Sequence, residues 1–94
     1  MPVVVVATLP GKPEHREELG ALLAKAAAAS RGEAGCVSYA FHRDLEDADR
    51  YVSVEVWEDQ ASLDAHFQAP HLAELFGAMG DKLAGPPDIK TWTA

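Results

Sequence analysis

Residues 36–57 read CVSYAFHRDLEDADRYVSVEVW. Larger apolar side chains recur at a period of two from Cys36 to Arg43 and again from Arg50 to Trp57, and the polar run Asp44 to Asp49 connects the two segments. The stretch therefore predicts an antiparallel β-hairpin. Its second strand has two unlike faces, Tyr51, Ser53, Glu55 and Trp57 on one and Val52, Val54 and Val56 on the other. Neither is plainly polar, so neither is marked for water, and alternation alone leaves open which of them turns inward.

Upstream, Val3 to Leu9 is a β-branched apolar run stopped by Pro10-Gly11, the pattern of a strand covered on both sides. Pro13 suits a first helical turn, and Glu14, Glu17 and Glu18 complement its dipole. Leu19, Leu22, Leu23 and Ala26 then recur at helical spacing until Ser30-Arg31-Gly32. Downstream, Asp59 predicts the N-cap of a helix carrying Leu63, His66 and Phe67. Pro70 breaks that helix before a second piece holding Leu72, Leu75, Phe76 and Met79. After Gly85-Pro86-Pro87, Asp88 to Thr93 reads as a last strand.

The order is βαββαβ, an α+β, ferredoxin-like arrangement with helices on one face of an antiparallel sheet. Ninety-four residues without a linker make one domain spanning 1–94. Seventeen of the hydrophobic residues are alanine, which leaves a thin core. A second copy packed on the free sheet face would cover what a domain of this size leaves open, so a homodimer is expected.

The formal charge of −7 argues against nucleic acid or an anionic membrane as partner. Cys36 has no intrachain or CxxC partner and reads as a small buried hydrophobe, which fits a reducing, cytoplasmic setting. The apolar stretch Val3 to Ala7 lacks a charged n-region and a long h-region, so neither a signal peptide nor a membrane span is expected.

Three segments together resemble the antibiotic biosynthesis monooxygenase family: Gly35-Cys36-Val37-Ser38-Tyr39, Tyr51 to Glu58, and Leu63 to His71. Within it the chain is most similar to the small quinol monooxygenase branch, by its Glu-x-Trp strand end and its His-Phe-x-x-Pro-His helix break. The resemblance implies a dimeric α/β barrel of two ferredoxin-like protomers and cofactor-free oxygenation of an electron-rich aromatic substrate by O₂. Haem-degrading relatives of that barrel typically carry an Asn on the first strand, and Val3 to Leu9 has none; at the matching point of the last helix they carry a His where Phe76 stands here. The polyketide oxygenases tend to have an Asn four residues before the strand Trp, where this chain has Ser53.

Without a cofactor the protein must supply a base, an apolar slot and polar groups for a developing oxyanion. His66 is the candidate base, because an imidazole titrates near about pH 6.5 and this one follows Leu63 by three residues on a helix. Trp57 is the candidate stacking wall. Tyr39, Phe41, Ser53, His71, Phe76 and Met79 complete the expected substrate pocket. Glu55 is expected to be buried and matched with Arg43 or Arg50 across the hairpin. No metal ligand set is read: His66 and His71 are five residues apart across a proline, and no third donor converges in the sequence. His15 and His42 read as solvated or structural. There is no GxGxxG, Walker loop, GxSxG elbow or Cys-His nucleophile context. Two other functions remain open, a non-catalytic dimeric barrel that binds a small planar metabolite, and an isomerase or degradative enzyme of a small hydroxycarbonyl compound.

Overall fold

The computed structural model describes residues 1–93. β1 (Val3–Pro10) leads through a 3₁₀ turn (Pro13–His15) into α1 (Arg16–Arg31). The hairpin β2 (Cys36–Arg43) and β3 (Arg50–Trp57) follows, then α2 (Gln60–Phe67), α3 (Pro70–Met79) and β4 (Asp88–Thr93). The strands form one antiparallel sheet in the order β2-β3-β1-β4. This is the α+β, ferredoxin-like fold, with the second helix split in two.

The local chemistry explains the element ends. Pro13 opens the 3₁₀ turn, so α1 proper starts three residues later, at Arg16. The Asp59 carboxylate accepts from the Ser62 backbone N–H at 2.8 Å, the N-cap contact that starts α2. Ala69 is extended ahead of Pro70, as a residue before proline must be, and that sets the break between α2 and α3. Gly35 has φ 83°, and a β-carbon there would run into the Ser62 side chain. This turn lets the chain leave α1 and pass directly beside α2.

Register assigns the sheet faces. In β1 the buried residues are Val3, Val5, Ala7 and Leu9, and in β3 they are Tyr51, Ser53, Glu55 and Trp57. The face with the hydroxyls and the carboxylate is thus the one covered by the helices. The opposite face pairs Val4 with Val56, Val6 with Val54 and Thr8 with Val52, and Trp92 of β4 lies beside Val4. Val54 is 41% and Trp92 51% exposed.

Two apolar clusters fill the space beneath the helices. Leu9, Leu19, Leu23, Tyr51, Leu72 and Met79 are in the first; Val3, Val5, Ala27, Tyr39, Trp57 and Leu63 are in the second. Phe41 packs against both. Leu19 and Leu23 are the apolar stripe of α1, and Ala26 and Ala27 let it lie close to the sheet and α3.

A candidate active site between the sheet and the split helix

Four polar residues are buried among the described residues: Ser30, Ser53, Glu55 and His66. A carboxylate and an imidazole in an apolar core are costly unless each polar atom finds a partner. They do so in two adjacent groups, one around Glu55 and one around Glu33. Ser53 Oγ donates to Glu55 Oε2 at 2.8 Å, and the Trp57 indole N–H donates to Glu55 Oε1 at 3.0 Å. All three residues are at alternate positions of β3, so the strand's own pleat brings them to one face.

His66 reaches this group from α2. Its Nε2 lies 3.9 Å from Glu55 Oε1, and its ring lies over the Trp57 indole with centroids 4.5 Å apart. On the other edge, Nδ1 is 2.6 Å from Glu33 Oε2. An ionised carboxylate only accepts, so Nδ1 carries the hydrogen and donates it. Glu33 thereby fixes the ring orientation and leaves Nε2 on the Glu55 side. His71 Nε2 donates to the same Glu33 oxygen at 3.0 Å and lies 3.4 Å from Ser30 Oγ.

Against this network is a small cavity of about 30 Å³. Tyr39, Phe41, Ser53, Phe76 and Met79, named above for a substrate pocket, all line it, together with His66. Glu55, Phe67 and Ile89 line it as well. Trp57 and His71 are not among its walls. Trp57 is fully buried behind His66, where it packs the ring and holds Glu55. His71 reaches away from the cavity, toward Glu33 and a shallow groove between α1 and α3. Burial, with the Glu55 carboxylate next in effect, pushes the Tyr39 phenol well above the ordinary tyrosine range, so its hydroxyl, beside Ser30 of α1, stays neutral.

Two expectations need correction. Glu55 is not matched with Arg43 or Arg50: Arg43 donates to the Tyr51 hydroxyl at 3.0 Å, and Arg50 pairs with Asp44 at 3.3 Å. The register explains this, because Arg43 lies opposite Tyr51, four pairs along the strand from Glu55, and Arg50 belongs to the open face. A third donor does converge on the two histidines. It is Glu33, from the loop between α1 and β2, where no spacing rule connects it to α2 or α3. His15 pairs with Glu18 at the surface, and His42 is exposed on the outer face of β2.

The sequence profile of the antibiotic biosynthesis monooxygenase family matches residues 2–77. The chain belongs to that family. Among its relatives, the Synechocystis sp. protein sll1783 is 38% identical over 97% of this chain, which spans 62% of that protein's length. A Mycobacterium tuberculosis protein named "Putative monooxygenase Rv0793" is 32% identical over 90% of this chain and 83% of its own. The solved structure of Rv0793 superposes with a TM-score of 0.94 at 28% identity, covering 100% of this chain and 95% of that one. This antibiotic biosynthesis monooxygenase domain thus carries its buried polar network at the junction of β3 with the split helix. No helix among its described residues is long and apolar enough to cross a membrane.

Proposed function

We propose that the protein is a monooxygenase that oxidises a quinol or a related hydroxylated aromatic with O₂ and needs no cofactor, with His66 accepting the substrate's phenolic proton. The observation that carries this reading is the buried imidazole whose Nδ1 hydrogen is held by Glu33 at 2.6 Å, so that Nε2 is the edge left beside the cavity. A carboxylate that fixes the tautomer of a neighbouring histidine in this way prepares it as a general base. A hydroquinone that loses a proton is an electron-rich anion able to reduce O₂ directly. Hydroquinone and O₂ give hydroxyquinone and water, so the substrate supplies every electron. The aromatic walls, Tyr39 and Phe41 among them, serve the ring.

About 30 Å³ is room for one water, whereas a benzene-sized ligand needs on the order of 150 Å³. Substrate entry therefore requires the split helix to yield at its rim, where Phe67 and Phe76 are 44% and 41% exposed. The same reading takes the protein as a homodimer that covers the valine face of the sheet with a second copy, in line with its open apolar area. Oxygen uptake with a panel of hydroquinones tests the function. His66→Ala is expected to lower turnover by on the order of 10² or more and to leave analogue affinity within a few-fold, with the thermal midpoint measured alongside. Tight quinol binding without oxygen uptake in the wild type would instead identify a binding protein.

A further inference from the structure

Glu33 Oε2, His66 Nδ1 and His71 Nε2 lie within 4.8 Å of one another. Both imidazole nitrogens address the same carboxylate oxygen, at 2.6 and 3.0 Å. The three residues come from the loop after α1, from α2 and from α3, so only the tertiary fold brings them together. Two imidazoles and one carboxylate are the donor set of three-ligand sites for borderline divalent ions, with the remaining positions open. We propose that Glu33, His66 and His71 form a binding site for a divalent ion of the late first transition row, zinc above all, in which the ion replaces the hydrogens that now bridge the imidazoles to Glu33.

The surroundings fit a metal ligand set beyond the three donors. With Nδ1 on the ion, His66 carries its hydrogen on Nε2, which faces Glu55 Oε1 at 3.9 Å. A carboxylate behind a ligating imidazole is the usual outer partner in such sites, and Glu55 is itself fixed by Ser53 and Trp57. The indole over His66 holds the ring plane before any ion arrives. Entry is open from one side, because the side chains of His71 and Glu33 are 27% and 17% exposed whereas that of His66 is 2%. The ion and the proposed base use opposite nitrogens of one ring. An ion on Nδ1 leaves no lone pair on Nε2, so the loaded form is closed to proton acceptance.

Titration of chelator-stripped protein with Zn²⁺ and with Co²⁺ by calorimetry tests the site, with the visible ligand-field absorption of Co²⁺ as a second readout. The expected result is one ion per chain and no uptake of Mg²⁺ or Ca²⁺, which prefer all-oxygen shells. His71→Ala and Glu33→Gln should each weaken Zn²⁺ by on the order of 100-fold or more, and Glu55→Gln by about tenfold. The thermal midpoint of the ion-free variants is recorded to show that they fold, and His71 is partly exposed, so its replacement leaves the core in place. The absence of saturable uptake overturns the site. So does unchanged affinity in both His71→Ala and Glu33→Gln, which would put the ion on the partly exposed His15 or the exposed His42. Failure of the oxygenase reading would appear separately, as absent oxygen uptake by ion-free protein.

Discussion

The two faces of the sheet make opposite use of their residues. The covered face presents Tyr51, Ser53, Glu55 and Trp57 from β3, and the open face presents Val52, Val54 and Val56 from the same strand. A core assembled for stability alone would have taken the valines. Here the valines face outward, and the interior holds a carboxylate, two hydroxyls and an indole N–H that must be satisfied one by one. The polar groups inside bond to one another, and the indole they hold packs against the buried His66 ring. The valines outside leave an apolar surface open, the one that the proposed homodimer would cover.

The contrast is most directly broken at Trp57, which has no exposed surface. Trp57→Ala removes the packing beneath His66 and the donor to Glu55 Oε1 together, and is expected to cost about 3 to 5 kcal/mol. Thermal or denaturant unfolding checks it, and a loss below about 1 kcal/mol would mean that the covered face tolerates a hole at its centre.

A smaller effect on the fold, with a larger one on assembly, is expected on the open face. Val54→Lys places a charge where the side chain is already 41% exposed, so it should change protomer stability by no more than about 0.5 kcal/mol. Light scattering should give twice 10.1 kDa for the wild type and 10.1 kDa for Val54→Lys. A wild type that stays monomeric at micromolar concentration would leave the valine face without the role given to it here.

The smallest effect belongs to neither face. Hydrogen bonding and attraction from the Arg16 guanidinium hold the Asp49 carboxyl below the ordinary aspartate range. A carboxyl whose folded value is depressed stabilises the fold above its unfolded value, near about pH 3.9, and that contribution is lost as the pH falls through the lower folded value. The thermal midpoint should therefore fall on acidification through this range, and Asp49→Asn should fall less steeply. Equal slopes would show that the pair contributes nothing to acid stability.

The elements were legible where local chemistry decides them. Period two in 36–57, Asp59 as a cap and Pro70 as a break each depend on a few neighbouring residues, and the structure has all three. The choice of sheet face was not legible, because valine and tyrosine or tryptophan both read as apolar and register is a property of the whole sheet. Of the residues around the cavity, His66, Tyr39, Phe41, Ser53, Phe76 and Met79 were within reach as chemical types, though not by the face on which the strand residues lie. Glu33 was not, since a glutamate in a short loop reads as solvated until the Gly35 turn carries it against α2. Glu55 read as the partner of an arginine because the sequence does not reveal that Ser53 and Trp57 satisfy it from its own strand.

The molecule has two tryptophans, and the sheet separates them: Trp57 is sealed beneath the helices against an imidazole, and Trp92 is half exposed on the other side. Each face therefore carries its own fluorophore. Emission from Trp92 responds to whatever displaces water from the valine surface, and emission from Trp57 responds to the charge and occupancy of the ring stacked on it. With Trp92 replaced by phenylalanine, the light from one buried indole becomes a continuous record of what His66 is holding.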